Sequence, residues 1–355
     1  MNFSLFVHME RTDPDTPHVE LFHELVDLVL LAEAGGFETV WIGEHHGMEF
    51  TIGPNPFDFL SYLAARTERI RLGTATVVAP FWHPLKLAGE AALVDVMSGG
   101  RLEFGIARGA YQFEFDRIAG GMKGSEGGHH LREMVPVLQK LWQGDYAHDG
   151  EIWRFPVSTS VPKPLQKPYP PMWIAARDPD SHKFAVRSGC NVQVTPLAKS
   201  DEEVVSLRDR FEAAVAEYPD VPRPKLMLLR HMHVADNDAH IEKGVRALSE
   251  FYKLFDAWFR NDRPIVDGFC TRTLNPAEAA ERPDYAPEAI RRNLVIGRPA
   301  EVVERIKAYE ALGYDQFGYW IDSGLPHEDK RRSLELFIRE IMPAFAGREA
   351  TVVAG

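Results

Sequence analysis

The sequence predicts an α/β fold, a (β/α)8 TIM barrel with insertions. Two observations carry this. Eight short apolar runs alternate with segments of helical periodicity, and such alternation implies parallel strands joined by crossover helices. At eight units and 355 residues, a closed barrel is the best fit. A doubly wound open sheet is the alternative, and no internal repeat is found at solenoid spacing. The expected organisation is a single barrel domain over residues 1–347, with an insertion or lid over about 260–293 and a C-terminal tail over 348–355.

Asn2–His8 reads as the first strand, followed by a loop at Pro14 and Pro17. Leu21, Leu25, Leu28 and Leu31/Ala32 recur at helical spacing across Glu20–Ala34, and Gly35-Gly36 stops that helix. Phe37, Val40, Trp41 and Ile42 lead into the second strand, Thr39–Glu44. Pro54 and Pro56 open a helix from about Phe57 to Thr67, and Ile70–Val78 is a third strand rich in β-branched residues. His83-Pro84 starts a helix that runs to Met97. Its Ala88-Gly89 and Ala91-Ala92 permit close approach of a second helix, from a partner subunit or from the same barrel, and a homodimer is the expected assembly. Ser98-Gly99-Gly100 turns the chain into a fourth strand, Leu102–Ile106. The Gly-rich loop Gly120–Gly128 precedes a helix ending near Trp142, and Tyr146–Val157 reads as a hairpin outside the main rhythm.

The alternation resumes with strands Met172–Ala176, Asn191–Thr195 and Lys225–Val234. Helices Ser181–Ser188, Ser200–Tyr218 and Ala239–Phe259 lie between and after them, with Ser200-x-x-Glu203 read as a capping box. Arg260–Asn293 is polar, with four prolines and little periodicity, and a structureless stretch of that length is a lid or an insertion. Pro299–Leu312 is helical, Gln316–Asp322 is a strand, and His327–Phe345 is the last helix.

The formal net charge of -12 argues against a nucleic-acid partner or an anionic membrane surface, because no broad basic field would draw the chain to phosphates. Cys190 and Cys270 form no CxxC, so a reducing compartment and no structural zinc are expected. Met1–His8 has no basic-then-apolar leader pattern, and no apolar run is long enough to span a bilayer. A cytoplasmic enzyme acting on a small molecule fits these limits.

In a barrel, chemistry belongs at the C-terminal ends of the strands. Those ends carry His8, Glu44-His45-His46, the Thr74–Val78 region, Arg108 with Tyr111, Ala176-Arg177, Thr195 and the Arg230–His233 run. Arg108, in Gly105-Ile106-Ala107-Arg108-Gly109, has small neighbours that let a ligand approach, and a guanidinium there suits a phosphate. A structural ion pair is the competing reading. Asp178-Pro179-Asp180-Ser181 reads as a helix start, but its aspartates favour capping over anion binding. His231-x-His233 puts two imidazoles on one strand face, a spacing that suits a metal; the further ligands would have to come from elsewhere, in principle from Glu44 and His45, and no metal site is assigned.

Several segments together resemble the bacterial luciferase-like flavin monooxygenases. They are Gly36–Trp41 through Glu44-His45-His46, Gly73–Pro80, His83-Pro84, Met97–Tyr111, Ile296-Gly297-Arg298-Pro299 and Ile341-Met342-Pro343. The resemblance is densest over residues 36–111. It implies a (β/α)8 barrel and reduced FMN delivered by a separate flavin reductase. It also implies a flavin peroxide, formed with O2, that oxidises an aldehyde, ketone, sulfonate or similar small substrate. By resemblance, Arg108 binds the FMN phosphate with help from Ser181, Tyr111 lies beside the flavin, and Ala176 belongs to the same cofactor site. The Ala75-Thr76 bond matches a non-prolyl cis peptide under the isoalloxazine ring. His45 matches the family's catalytic histidine, with Glu44 and His46 beside it.

Three positions depart from the luciferase pattern. Ala107 stands where luciferases carry a reactive cysteine, Glu126 where they place a second phosphate-binding arginine, and Asp178 where they have a phosphate-loop serine. Arg177 or Arg132 is left to compensate, and light emission is not implied. The expected function is an FMN-dependent monooxygenase. Three rivals remain: a deazaflavin-dependent dehydrogenase of the same fold, separable by oxygen uptake; a non-catalytic flavin-binding protein, separable by turnover; and a metal-dependent hydrolase, separable by bound zinc.

Overall fold

The computed structural model describes residues 1–346, so the 348–355 tail lies outside the described residues. Eight parallel strands close into a barrel: β1 (Asn2–Val7), β2 (Thr39–Ile42), β3 (Arg71–Thr74), β4 (Leu102–Ala107), β5 (Met172–Ala175), β6 (Asn191–Val194), β7 (Leu226–Val234) and β8 (Gln316–Trp320). Each pairs with its neighbour in sequence, and the first pairs with the last, Asn2 opposite Gln316 and Phe6 opposite Trp320. These are the eight strands that the apolar runs predict.

Side chains alternate across each strand, which divides the core in two. Phe6, Trp41, Trp173, Met227, Leu229 and Trp320 belong to one buried cluster inside the barrel. Leu5, Val40, Leu72, Ile106, Ile174 and Leu228 belong to another, shared with the surrounding helices. The interior is filled by a few large rings set against glycines. Trp41 and Trp173 meet edge to face at 5.4 Å, and a side chain at Gly73 would collide with the Trp41 ring. The helices that matter below are α1 (His18–Gly35), α2 (Pro56–Ala64), α3 (Pro84–Met97), α4 (Gln112–Ile118), α5 (Gly127–Gln143), α6 (Pro179–Arg187), α7 (Asp201–Glu217) and α8 (Asp238–Arg260). No described helix is long and apolar enough to cross a membrane.

The hairpin forms as expected, from Tyr146–Asp149 and Arg154–Ser158. Ala88, Ala91 and Ala92 of α3 are buried within the chain, and the Ala88 carbonyl accepts bonds from the Trp142 indole at 3.0 Å and the Ser160 hydroxyl at 3.1 Å.

Other expectations need correction. Residues 260–293 are not structureless: they hold a small hairpin (Ile265–Val266 with Phe269–Cys270), helices Pro276–Ala280 and Pro287–Asn293, and a 3₁₀ turn at Pro283–Tyr285. Three of the four prolines there stand in the first turn of a helical piece, where the missing N–H costs nothing. Val295–Gly297 adds a further strand along Met232–Val234, beyond the barrel proper. The Gln112–Ile118 helix was not anticipated. Ser200 makes no side-chain cap on α7, because Glu203 turns instead toward Arg177, Lys199 and Arg210. The last helix stops at Leu336, continues as a π turn over Phe337–Ile341, and tightens to 3₁₀ at Met342–Phe345.

Candidate active site

β2 ends at Ile42, and the chain then turns across the barrel mouth. At Gly43 a Cβ would stand 2.8 Å from His8 Nε2, so only glycine fits without a shift. The His45 N–H donates to the Gly53 carbonyl at 2.8 Å and pins the turn. Glu44 is buried. It accepts the Val78 N–H at 2.7 Å, the Trp82 indole N–H at 2.8 and 2.9 Å, and pairs with His46 Nε2 at 2.8 Å. A carboxylate so fully committed holds the turn to the segment after β3, and its capacity for further contacts is small.

His45 faces the mouth. Its ring lies 4.8 Å from that of His8 and 5.3 Å from that of Tyr111. His45 Nδ1 is 3.3 Å from Glu114 Oε2, while the other Glu114 oxygen accepts the His46 N–H at 2.7 Å. Glu114 therefore orients the imidazole and leaves Nε2 without a partner among the described residues. Burial, with Glu114 and Glu10 nearby, pushes the Tyr111 phenol well above its ordinary range, so it remains a proton donor.

A cis peptide joins Ala75 to Thr76, as the resemblance implies. The Ala75 N–H donates to Ile42 O at 2.8 Å, and Val77–Val78 then resumes pairing with β4. Both residues are half-buried. Beyond β4, Arg108 is exposed, and its guanidinium has no hydrogen bond or ion pair among the described residues. Gly127 at the start of α5 lies so close to the Arg108 carbonyl that a side chain there would collide. Arg132, one turn into α5, is also exposed and unpaired, with its guanidinium against Gly128.

Opposite stands the start of α6. The Asp178 carboxylate caps the helix by accepting the Ser181 N–H at 2.9 Å, and the Ser181 hydroxyl donates to the Asp178 carbonyl at 2.7 Å. Partial burial works to raise the Asp178 pKa, but these bonds and the Arg108 charge hold it below the ordinary carboxylate range. Ala176 is buried just before this turn. Two unpaired guanidinia beside a helix N-terminus suit a phosphate dianion, and the carboxylates of Asp178 and Glu126 oppose it. Of the two candidate compensating cations, Arg132 is free, whereas Arg177 lies 3.7 Å from Glu203.

Deeper in the mouth lies a buried group of polar side chains. His231 stacks on Trp320 at 3.8 Å and shares a hydrogen bond of 2.8 Å with the Tyr252 hydroxyl. His8 and His231 are both held well below the ordinary imidazole range, chiefly by burial. His233 does not join His231, because its ring packs instead on Gly244 of α8. Among the described residues, no group of three or more histidines, cysteines and carboxylates is arranged to hold a metal ion. Arg230 faces outward, bonded to the carbonyls of Lys199 and Asn293, and is structural. Glu10, Glu114, Tyr252 and Trp320 escaped the sequence reading. Glu114 and Tyr252 sit in helices, where strand-end logic gives no signal.

The closed barrel thus gathers an oriented imidazole and exposed guanidinia at the mouth where a barrel of this class carries its chemistry. The profile of the luciferase-like monooxygenase family matches residues 1–316, and the chain belongs to that family. It is 52% identical to the oxygenase component of the flavin-dependent trigonelline monooxygenase of Acinetobacter baylyi, across 100% of this chain and 99% of that one. The crystal structure of monooxygenase RslO1 from Streptomyces bottropensis superposes with a TM-score of 0.82 at 26% identity, covering 98% of this chain and 100% of the other. The oxygenating constituent of 3,6-diketocamphane monooxygenase from Pseudomonas putida, solved with FMN, shares the fold at a TM-score of 0.75 and 19% identity, covering 97% and 98%. The chain is thus a flavin-dependent monooxygenase.

Proposed function

We propose that the chain is the oxygenase component of a two-component, FMN-dependent monooxygenase whose substrate is a small N-methylated heteroaromatic carboxylate of the trigonelline type. The observation that carries this reading is the 52% identity, over the whole chain, to the trigonelline oxygenase component. Trigonelline is pyridine-3-carboxylate with a methyl group on the ring nitrogen, so it carries a fixed positive charge and a carboxylate. Reduced FMN, supplied by a separate flavin reductase, provides the electrons that activate O2. One oxygen atom enters the substrate and the other leaves as water.

Arg108 and Arg132 hold the phosphate, with Ser181 and Ala176 at its edge. Ala75, Thr76 and Tyr111 would hold the ring system. His45 Nε2 takes or gives the proton at the reacting centre, oriented by Glu114, while Glu44 and His46 keep the turn in place. Residues 261–293, with Phe255 and Phe259 of α8, exclude water. The assembly we propose is a homodimer through the exposed apolar side chains of Leu93, Val96 and Met97 on α3. A cytoplasmic location fits the need for reduced flavin.

The test supplies reduced FMN from a purified reductase and follows oxygen uptake together with 18O incorporation into product. Trigonelline is expected to be oxidised in preference to an aldehyde, a ketone and a sulfonate. If one of those three is oxidised and trigonelline is not, the substrate assignment falls and the enzyme class stands.

A further inference from the structure

Gln193 is a polar residue in the middle of a barrel strand. Its neighbours Val192 and Val194 belong to the core shared with the helices, so strand alternation turns Gln193 into the lumen. It is 5% exposed, yet its side-chain NH2 has no hydrogen-bond partner among the described residues. A buried donor left unmet is costly, so an acceptor from outside the chain is called for.

The amide reaches past β5 to β4. Its Nε2 lies 3.5 Å from the point where a Cβ at Gly105 would stand, and the Thr74 carbonyl crowds the same point. Thr74 is the residue before Ala75 and Thr76. The Gln193 backbone is tied to the same mouth: its carbonyl accepts the Ala176 N–H at 3.0 Å, and its partner across the pairing is Ala175.

Beside this donor lies a shelf of methyl groups. Ala107 and Ala175 each follow the paired Ile106 and Ile174, and both face inward by alternation. Ala75 packs on the inner cluster of rings. One layer deeper the lumen is filled by Trp41 and Trp173. At the shelf the side chains are small and the lumen is open: Ala175 is exposed, and Ala75 and Ala107 are half-buried. Three methyl groups suit the face of a flat ring and offer it no hydrogen bond, and Gln193 adds a donor at the edge.

A neutral amide donor discriminates by the strength of its acceptor. Two-electron reduction makes an isoalloxazine ring electron-rich, and at neutral pH the reduced ring is largely anionic, with the charge spread over N1 and the carbonyl oxygens. A hydrogen bond to a charged acceptor is the stronger kind. We propose that the Gln193 amide donates to a carbonyl of the isoalloxazine ring seated on Ala75, Ala107 and Ala175, and so makes this chain prefer reduced to oxidised FMN. This rests on the proposed use of reduced FMN and names the residue that selects it.

The experiment measures anaerobic dissociation constants for reduced and oxidised FMN, without substrate, in the wild type and in Gln193→Met. Methionine keeps the length of the side chain and removes the donor. The wild type should bind reduced FMN the more tightly. Gln193→Met should weaken reduced FMN by about ten-fold or more and oxidised FMN by clearly less. Reduced riboflavin should lose as much as reduced FMN, because the contact is to the ring. A loss confined to FMN, equal weakening of both redox forms, or an unchanged preference overturns the assignment; in the last case the amide is satisfied by water.

The wild type alone gives a second test that a misfolded variant cannot spoil. Reduced 2-thio-FMN and 4-thio-FMN each carry sulfur, a weak acceptor, in place of one carbonyl oxygen. One of the two should bind several-fold more weakly than reduced FMN, and equal binding of all three overturns the proposal. If trigonelline is not oxidised while the preference for reduced FMN still depends on Gln193, the substrate reading fails and Gln193 stands. If trigonelline is oxidised and Gln193→Met leaves the preference intact, only the Gln193 assignment fails.

Discussion

Glu44 and His45 are adjacent in sequence and opposite in situation. Glu44 is surrounded by donors, while His45 has one ring nitrogen held by Glu114 and the other open. His45→Ala should lower turnover by about 10²–10⁴-fold, the usual contribution of a positioned acid–base group, while reduced FMN still binds. Product formation and flavin affinity, measured separately, check this; a near-normal product yield would make the ring structural. Glu44→Ala should act on stability first. It strands the Val78 and Trp82 N–H groups, a loss of about 3 kcal/mol readable by denaturant unfolding. For Arg108→Ala, FMN binding should weaken by about 1.5–3 kcal/mol while riboflavin binding holds, because a charge-assisted contact is lost only where there is a phosphate. Equal weakening of both flavins would show that Arg108 supports the pocket in general. The sequence points to these three positions because each follows an apolar run. It is silent on Glu10, since a carboxylate three residues past a strand reads as solvated loop. Only the closed barrel shows that Trp320 and Asp322, from the far end of the chain, cover it.

The segment after α8 shows where reading by elements fails. Low apolar periodicity and four prolines look like open chain, yet short helices begin at Pro276 and Pro287. Charge fixes much of the segment, and only the second of these helices also buries an apolar pair, Ala289 and Ile290. Asp256 of α8 takes Arg260 at 2.9 Å and Arg282 at 2.8 Å, Arg263 reaches Glu278 at 2.6 Å, and the Ser249 hydroxyl donates to the Tyr285 carbonyl at 2.6 Å. Ion pairs of this kind have no sequence period and so no signature. Exposed pairs also contribute little stability each. Backbone amides of 261–293 are therefore expected to exchange hydrogen much faster than those of β1–β8, and to slow when FMN and substrate bind. Exchange as slow as the barrel's in the free protein would remove the lid reading. Asp256→Asn should speed exchange further, because two arginines lose their anchor together.

For the whole molecule, buried histidines set the response to acid. Burial pushes His233 down to about 4, and it holds His8 and His231 well below their ordinary range. An imidazole whose folded pKa is depressed contributes stability above its unfolded pKa of about 6.5, and that stability is lost as pH falls toward the folded value. His233 alone should remove roughly 3 kcal/mol between pH 6.5 and 4. Glu10 acts with the opposite sign: its raised folded pKa favours the fold at low pH, and that contribution fades as pH rises. Unfolding by denaturant at pH 7 and near pH 4.5 tests the net result. His233→Gln should lose less stability on acidification than the wild type, and an equal loss would count against the histidine account. The barrel itself was legible from alternation and chain length. The extra strand beside β7 was not, because Val295–Gly297 is too short to stand out from the helix start that follows it.

The seam of the barrel joins Asn2 to Gln316. The first of the eight barrel strands to be made therefore waits for the eighth before both of its edges are paired. Until then β1 and β7 each present an open hydrogen-bonding edge lined with apolar side chains, the condition under which nascent chains pair wrongly or with one another. The contact is about as non-local as a chain of this length allows, so closure carries a large loop entropy and is expected to be the slow step of folding. A chain cut short before Gln316 would lack the strand that completes the ring. Such fragments should behave as chaperone clients, with no smaller enzyme among them, and yield in expression should depend more on synthesis rate and temperature than on any single residue of the active site.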